Sequence, residues 1–402
     1  MKNLKTYLIL FTALVILSTA CTKKKSEATP EPVPPPVVVT PPTSTVVTGF
    51  TISQSLNQTV PKYDLESTII YSSSSQEATG FKQLPATYND NIKSFNLPKG
   101  YMAVFSENQN GTGESICYVA VTSDVSENLP SRLVGKVSYV RFLPYRNVNK
   151  KGVCQTNIND VNASKASWFY NWGLGATSTA TQHYVPMTWG KGSANATTAL
   201  NFIARTDIDH YLSFNEPDGS NQSNIPNIDE AVTGYRTMLQ TGLRMVSPAV
   251  EQDNSTGANR WLTNFVTAAN AQKARIDVIA LHWYDWGNQN SNLATDELTA
   301  NAALNRFKNY IAKVHAAYPN QALWFTEYNC NPGRSIPVQK IFMKASAEYL
   351  NTLPYVERYA YFFNGTNFPL TSGAPNHTLT DVGQTWLNIE SPPAFTNNII
   401  PN

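Results

Sequence analysis

The pattern of hydrophobic and polar positions divides the chain into two kinds of segment. From about residue 50 to residue 146, hydrophobic residues recur at every second position, and turn signals such as Asn110-Gly111 separate the runs. This period of two is typical of β-strands. The predicted strands are 67–71, 101–105, 116–121 and 136–142. From about residue 151 onward, short hydrophobic runs alternate with amphipathic helical runs. We therefore expect a small all-β domain at 50–148 and an α/β domain at 152–392.

The α/β segment contains seven clear strand candidates and five long helical stretches. The predicted strands are 166–172, 184–189, 210–215, 244–247, 278–284, 322–327 and 359–363. The predicted helices are 195–205, 228–241, 259–271, 296–317 and 338–350. Alternation of strands and helices over about 240 residues indicates a parallel sheet, and this length favours a (β/α)8 barrel of the TIM type. An eighth strand, early in the segment, is ambiguous.

The first 21 residues have the features of a secretory signal peptide. Lys2 and Lys5 precede an apolar run at 7–20, which is shorter than the roughly 20 residues that span a bilayer. Small residues precede Cys21, and this arrangement resembles a bacterial lipobox, which implies that Cys21 carries a lipid anchor. The alternative is an ordinary cleaved signal with an incidental cysteine.

Residues 22–49 are predicted to be a tether. They contain seven prolines, and proline-rich segments are extended spacers of about 3.1 Å per residue. Thr22 stands where an aspartate would retain a Gram-negative lipoprotein at the inner membrane, so this resemblance favours the outer membrane. We therefore expect an exported bacterial lipoprotein on the periplasmic face of the outer membrane or on the cell surface.

The composition narrows the classes of function. Charged residues make up 14% of the 402 residues, against about 25% in ordinary soluble chains. From Gly49 onward there are 25 basic and 26 acidic residues, which argues against a nucleic-acid-binding protein. Cys117, Cys154 and Cys330 show no metal-ligand spacing, so we expect structural cysteines, no metal and no cofactor. An uncharged surface rich in aromatic residues suits a neutral polar ligand. We also expect the protein to be a monomer.

Two glutamates stand at the ends of predicted strands. Glu216 follows the strand at 210–215 and Glu327 ends the strand at 322–327. Barrel enzymes place their chemistry at these strand ends. The two glutamates are separated by 111 residues, or about three strand–helix units, which places them on facing sides of the barrel mouth. One such glutamate alone would suggest a helix cap or an ion pair. A facing pair of carboxylates is what glycoside hydrolysis requires.

Polar and aromatic residues near the same strand ends are candidates for sugar binding. Alternation along the strand at 278–284 places Ala280, His282 and Tyr284 on one face, which we expect to point inward. Aromatic side chains at the mouth offer flat faces on which sugar rings stack. The candidates are Tyr170, Asn171, Trp172, Trp189, His282, Tyr284 and Tyr328. For each aromatic residue the alternative is core packing, and for His282 it is a hydrogen-bonded core histidine.

Six segments in the α/β region, read in order, resemble glycoside hydrolase family 128, a family of endo-β-1,3-glucanases. The segments are 168–173, 184–190, 213–218, 247–249, 281–284 and 324–327. The resemblance implies a retaining mechanism with Glu216 as acid/base and Glu327 as nucleophile, and it implies that Asn215 binds the sugar 2-hydroxyl. Strict alternation would separate Asn215 from Glu216, so we expect the strand to bulge or end there.

Two further features bear on function. No tryptophan follows the last predicted strand, although many glycoside hydrolases of clan A, whose barrel family 128 resembles, have one there. Another β-glycan therefore stays open as the substrate. A catalytically silent glycan-binding surface lipoprotein also stays open.

In the β-rich segment, residues 105–115 and their surroundings resemble a Greek-key domain of the βγ-crystallin type, which implies either a sugar-binding module or a packing partner. Val134 and Gly135 stand where such domains have the residues that bind calcium, so we expect no bound calcium here.

Overall fold

The computed structural model describes residues 49–74, 80–288 and 290–401. These residues all belong to one compact unit that spans Val38–Asn402. The predicted signal peptide, Cys21 and residues 22–48 of the tether lie outside the described residues. Within the described ranges, no helix has the length and hydrophobicity needed to cross a membrane.

The first part of the described chain consists of nine short strands in two sheets. The strands are β1 (Thr51–Ser53), β2 (Lys62–Asp64), β3 (Ile70–Ser72), β4 (Phe81–Gln83), β5 (Ser94–Leu97), β6 (Tyr101–Ser106), β7 (Ser115–Val119), β8 (Val125–Asn128) and β9 (Tyr139–Pro144). One sheet has the order β2-β1-β5-β8 and the other β4-β3-β9-β6-β7. Buried aromatic residues such as Phe95, Phe105 and Tyr118 fill the core of this region. The two sheets support the prediction of an all-β segment, while its boundaries remain predictions.

Eight parallel strands form the central sheet of the second part. They are β10 (Lys151–Cys154), β11 (Trp168–Tyr170), β12 (His183–Tyr184), β13 (His210–Leu212), β14 (Arg244–Val246), β15 (Val278–Trp283), β16 (Ala322–Tyr328) and β17 (Val356–Tyr361). Their order is β12-β11-β10-β17-β16-β15-β14-β13. The ambiguous early strand is β10. The sheet is curled, because Leu212 at one edge bonds through its N–H to Pro186 O (2.9 Å) and through its carbonyl to Thr188 N (3.0 Å) near the other edge. The prediction of a mixed α/β fold of the TIM-like kind is confirmed.

Seven α-helices accompany this sheet in the described residues. They are α1 (Ile158–Ser164), α2 (Ala196–Ile203), α3 (Ile228–Leu239), α4 (Trp261–Ala271), α5 (Asp296–Ala317), α6 (Ile336–Thr352) and α7 (Asp381–Leu387). Six of them begin after an Asn, Thr or Ser whose side chain accepts a hydrogen bond from the first turn, as N-caps do. Residues 171–182, between β11 and β12, form a loop without a helix. The chain departs here from a regular alternation of strands and helices.

Alternation along the strands divides the core into two layers. Ala280 and Trp324 point into the sheet's interior, whereas Leu281 and Trp283 pack with Phe307 and other residues of the helices. The inward direction expected for Ala280 and His282 is therefore observed. The described cysteines, Cys117, Cys154 and Cys330, are buried and form no disulfide.

A buried arginine on β9 joins the β-rich part to the helices. Arg141 is inaccessible to solvent, and its guanidinium donates to Thr241 O, to Ile203 O (3.3 Å) and to Arg205 O (3.1 Å). These carbonyls stand at the C-terminal ends of α2 and α3, where carbonyl groups lack partners within the helix and a cation is favoured. Burial lowers the pKa of Arg141 to about 10, which leaves the group charged at neutral pH. The β-rich part is thus fixed to the sheet and helices by a specific polar contact.

Two further contacts hold the same parts together. The hydroxyl of Tyr139 donates to Gln240 O (3.0 Å), and Gly242 has a φ of 61° directly beneath this ring, where any side chain would collide with Tyr139. At the C-terminal end of the chain, Ile399 pairs with Val119 of β7. The segment around Ile399 therefore returns to the β-rich part.

Replacing Arg141 with methionine should destabilise the whole protein. The change leaves two buried carbonyls and one partly buried carbonyl without their donor, which we expect to lower the free energy of unfolding by about 3 kcal/mol. Urea or thermal unfolding measures the loss. Arg132→Met is the matched control, because Arg132 is 36% exposed and pairs with Glu114 at the surface (2.8 Å), so its loss should cost less than about 1 kcal/mol. Equal losses in the two variants would contradict this account of the contact.

Candidate active site

The two glutamates predicted from the strand ends lie close together. Glu327 belongs to β16, and Glu216 stands four residues beyond β13. Glu216 has a φ of 41°, in the left-handed region, and its N–H donates to Ala249 O (2.7 Å). The regular strand therefore ends before Glu216, as expected from the need to bring Asn215 and Glu216 to one site. One carboxylate oxygen of each glutamate lies within 4.8 Å of the other.

Three aromatic side chains orient the Glu327 carboxylate. The Trp172 indole N–H donates to Oε1 (2.7 Å) and the Tyr284 hydroxyl donates to Oε2. The Tyr170 hydroxyl shares its proton between Thr326 O (3.0 Å) and Glu327 Oε1 (3.3 Å). Burial and the negative charge of Glu327 raise the pKa of both Tyr170 and Tyr284 well above the ordinary value. Both hydroxyls therefore remain protonated and act as donors. The result is a buried carboxylate whose direction is fixed from several sides.

His282 lies between the two carboxylates. Its Nδ1 shares a hydrogen bond with Glu216 Oε1 (2.9 Å), and its Nε2 is 3.5 Å from Glu327 Oε1 without hydrogen-bond geometry. Burial lowers the pKa of this imidazole, but the charge of Glu327 and the hydrogen bond with Glu216 outweigh burial, so the pKa is raised overall. The charge of Asp218 raises the pKa further, to a smaller degree. A protonated His282 offsets the repulsion between two nearby carboxylates.

Asn215 and Trp189 lie beside Glu216. The Asn215 side chain is buried, its amide N–H group is 3.4 Å from Gln222 Oε1, and its Oδ1 has no hydrogen-bond partner among the described residues. A buried acceptor without a partner costs about 1–3 kcal/mol, which a ligand hydroxyl would recover. Trp189 is 39% exposed, and its carbonyl accepts from Asn215 N (3.0 Å). Trp189 is therefore accessible to a bound molecule, and the neighbouring Asn215 keeps a buried amide oxygen without a partner among the described residues.

The side chains of two candidate sugar-binding residues, Asn171 and Tyr328, contact other parts of the protein rather than the two glutamates. The Asn171 Oδ1 accepts hydrogen bonds from the Tyr184 hydroxyl (2.9 Å) and from Gly173 N (3.2 Å), so this side chain shapes its own loop. The Tyr328 ring is fully buried and stacks on Phe307 at 5.2 Å between the sheet and the helices. The expectation that Tyr328 binds substrate is not supported, because strand alternation turns it away from its neighbour Glu327.

The sequence did not single out three residues that border the site. Phe362, just beyond β17, meets the rings of Trp172 (6.2 Å) and Tyr284 (5.5 Å). Trp286 is half exposed beside Tyr284, at 5.9 Å. Asp218 is half-buried two residues after Glu216, and burial raises its pKa, as does the charge of Glu216 to a smaller degree. All three follow strand ends, which is the signal that could have identified them.

Glu216, His282 and Glu327 are also the group in the described part of the chain whose side chains could together hold a metal ion. His282 Nδ1 already bonds to Glu216, and the Trp172 and Tyr284 donors point at Glu327. Donors of this kind fit a free carboxylate rather than a metal-bound one. The arrangement suits proton transfer by one carboxylate and attack by the other. The expectation of no metal and no cofactor stays a prediction.

Comparisons with known proteins agree with this geometry. A family described as "Glycosyl hydrolase catalytic core" matches residues 146–386. Among solved structures, an endo-β-1,3-glucanase of glycoside hydrolase family 128, subgroup I, from Amycolatopsis mediterranei is similar in its complex with laminaritriose. Glutamate variants of that enzyme in complex with laminaripentaose and laminarihexaose are similar as well. Each is 29% identical with a TM-score of 0.51, and the match covers 60% of this chain and 100% of that one. Among curated proteins, none matches the chain.

Replacing His282 with asparagine should destabilise the protein in a pH-dependent way. A group whose pKa is raised by folding contributes stability that is complete below its ordinary pKa of 6.5 and is lost as the pH rises through the raised value. The difference in free energy of unfolding between the wild type and His282→Asn should therefore be larger near pH 6 than near pH 9. Denaturant titrations at both pH values measure it.

Tyr284→Phe serves as the control for the His282 measurement. It also removes a contact with Glu327, but the raised pKa of Tyr284 means that this hydroxyl does not titrate in the same range. Its effect should change little with pH. A His282→Asn effect that is constant or that grows between pH 6 and pH 9 would contradict the charge assigned to His282.

Proposed function

The chain belongs to the glycosyl hydrolase catalytic core family and to glycoside hydrolase family 128, and from this premise we propose that it cleaves β-1,3-glucan within the chain, with retention of configuration. The match with the family covers more than half of the chain, and the protein is a glycoside hydrolase enzyme. The linkage, the endo mode and the stereochemistry are our proposal. They are supported by the site and by the ligands of the related enzyme.

The observation that carries the proposal is the spacing of the carboxylates. Retaining glycosidases hold their two carboxyl groups about 5–5.5 Å apart, whereas inverting enzymes need about 6.5–9.5 Å to admit a water molecule. Oxygens of Glu216 and Glu327 within 4.8 Å of one another fit the shorter spacing. This spacing supports attack by a carboxylate itself.

The surroundings of the two glutamates support different roles. Glu327 is buried and oriented by Trp172, Tyr170 and Tyr284, as a nucleophile must be to meet the anomeric carbon in line. Glu216 is more exposed than Glu327, as an acid that must reach a leaving group and later a water molecule needs to be.

The reaction then takes two steps. In the first, Glu216 gives its proton to the glycosidic oxygen while Glu327 forms a covalent bond to the anomeric carbon and the leaving chain departs. In the second, Glu216 takes a proton from water, the water oxygen attacks the same carbon, and Glu327 is released. His282 stabilises the charge that Glu216 acquires between the two steps.

A β-1,3-glucan is the substrate that the observations favour. The similar enzyme from Amycolatopsis mediterranei is an endo-β-1,3-glucanase that binds laminari-oligosaccharides, and the match spans its whole length. The buried Oδ1 of Asn215 has no partner among the described residues, and we assign to it a hydrogen bond from the sugar 2-hydroxyl. The exposed face of Trp189 offers a stacking surface next to it.

Two alternatives remain separable by experiment. Another β-glycan, such as a mixed-linkage glucan, would use the same carboxylates, and a panel of polysaccharides with sizing of the products distinguishes it. A silent glycan-binding protein would bind such chains without releasing products over a long incubation. The intact pair of Glu216 and Glu327 favours catalysis over this second alternative.

The remaining parts of the chain complete the proposal. We assign residues 1–21 to a lipoprotein signal, Cys21 to the lipid anchor and 22–49 to a tether that holds a monomeric enzyme at the outer membrane. The bonds between the edges of the curled sheet support a closed (β/α)8 barrel. The Arg141 contact favours the β-rich part as a fixed packing partner of that barrel over an independently moving sugar-binding module.

Replacing either glutamate by glutamine should abolish hydrolysis of laminarin while leaving the fold intact. General acid–base catalysis contributes about 10²- to 10⁴-fold, so we expect at least this loss of kcat for Glu216→Gln, and an equal or larger loss for Glu327→Gln. Release of reducing ends measures the rate, and thermal unfolding checks the fold. Full hydrolysis by Glu327→Gln would refute the proposed role of that residue.

Replacing Tyr284 with phenylalanine should slow the reaction without removing it. The variant loses a hydrogen bond to the charged Glu327, which is worth about 1.5–3 kcal/mol and corresponds to a 10- to 100-fold lower kcat. Tyr328→Phe is the matched control, because that ring lies between the sheet and the helices. Steady-state kinetics on laminarin compare the two. A slower Tyr328→Phe with an unchanged Tyr284→Phe would reverse our assignment of these residues.

A further inference from the structure

Two tryptophans beyond the C-terminal ends of the parallel strands are unusually exposed. Among the described residues, the large hydrophobic side chains that are clearly exposed include two aromatic ones, Trp189 (39%) and Trp286 (50%). Trp189 follows β12 and Trp286 follows β15, so both stand beyond the C-terminal ends of the parallel strands, where Glu216 and Glu327 also lie. Tryptophan is mostly buried in proteins, and an exposed indole face next to a reaction site suits the apolar face of a sugar ring.

Trp286 lies on the nucleophile's side of the site. Its ring is 5.9 Å from the ring of Tyr284, whose hydroxyl bonds to Glu327. Trp189 lies on the other side, because its carbonyl accepts from the backbone of Asn215, next to Glu216. A chain that passes between the two carboxylates therefore meets an exposed indole in either direction.

Buried charges hold the segment that carries Trp286. The preceding residue, Asp285, is buried with a φ of 52°, and both of its oxygens accept hydrogen bonds from Arg306, at 2.7 Å from Nε and 2.6 Å from Nη2. Arg334 is 3.7 Å from the same carboxylate and also donates to Asn288 O. The backbone is thus fixed directly before Trp286 and two residues after it.

Such an anchor costs free energy and therefore indicates a purpose. A left-handed non-glycine residue costs about 1 kcal/mol, and a buried carboxylate needs partners of the right geometry to offset its desolvation. Arg306 supplies a two-bond contact that a lysine could not make. The anchor holds in place a half-exposed ring that contributes little to the core.

We propose that Trp286 is a stacking platform for a glucosyl unit beyond the cleavage point, and that Asp285 with Arg306 positions this platform. The inference rests on the proposed function, since it assigns part of the substrate chain to this ring. Trp286 acts on binding of longer chains, and Arg306 is a positioning residue that does not touch the sugar. The site therefore distinguishes long from short β-1,3-glucans through Trp286.

The test compares full-length variants on β-1,3-gluco-oligosaccharides of three to six units. Trp286→Ala should raise KM for the hexasaccharide about 10-fold with kcat changed less than about 2-fold, because stacking is lost equally in the ground and transition states. The effect should shrink for the trisaccharide, and Trp286→Phe should recover part of it. Leu293→Ala is the matched control, because Leu293 is 52% exposed in the same loop and is not aromatic.

Arg306 tests the positioning part separately. Its side chain is 32% exposed, so Arg306→Leu removes the anchor at a site near the surface. We expect the KM pattern of Trp286→Ala with kcat again unchanged, and Arg306→Lys should recover only part of the affinity. If Arg306→Leu does not fold, the comparison of Arg306→Lys with the wild type decides this part.

The outcomes separate the inference from the proposed function. If Glu327→Gln abolishes hydrolysis but Trp286→Ala leaves KM unchanged for every chain length, the inference is overturned and the proposed function stands. If the wild type hydrolyses no β-1,3-glucan, the proposed function fails. Calorimetric binding of the hexasaccharide then decides: weaker binding by Trp286→Ala than by the wild type supports the platform, and equal or absent binding overturns it.

Discussion

Two carboxylates within 4.8 Å of each other, one buried and one partly buried, impose the requirement that organises this protein. Two ionised carboxylates so close together would repel each other in a region with little water, so the pair needs compensating groups or a proton on one of its members. His282 compensates from between them, and Trp172 and Tyr284 direct donors at Glu327. These residues come from different strands of the curled sheet, so the fold has to be complete before the pair can be stable.

The backbone just beyond the C-terminal ends of the strands is constrained as well. Trp172, Glu216, Asp285 and Asn331 each have a positive φ, between 41° and 87°, and each follows the end of a strand by two to four residues. Left-handed conformations of such residues cost about 1 kcal/mol apiece, and they persist where the surrounding structure determines them. Their grouping beyond the C-terminal ends of the strands indicates that strain is accepted in the loops that carry and flank the site.

Much of the fold and the central pair could be predicted from the sequence because both depend on local pattern. Five helices and seven strands of the α/β region follow from periodicity, and α5 was predicted with its observed bounds. Glu216 and Glu327 stood out as charged residues in uncharged aromatic strands. The rest depends on contacts distant in sequence. Tyr328 follows Glu327 directly in the sequence, but alternation along β16 turns its ring away from the site, and the Arg141 contact with α2 and α3 gives no signal in a single sequence.

The central claim is that Glu327 forms a covalent bond to the sugar while Glu216 supplies and recovers the proton. The most direct test is to treat the protein with a 2-deoxy-2-fluoro β-glucosyl or laminaribiosyl fluoride, whose glycosyl-enzyme forms but breaks down slowly, and to locate the adduct by peptide mass spectrometry. We expect one glycosyl group on the peptide that contains Glu327 and none on that residue's glutamine variant. A protein that hydrolyses β-1,3-glucan but forms no adduct, or forms it at Glu216, would contradict this mechanism.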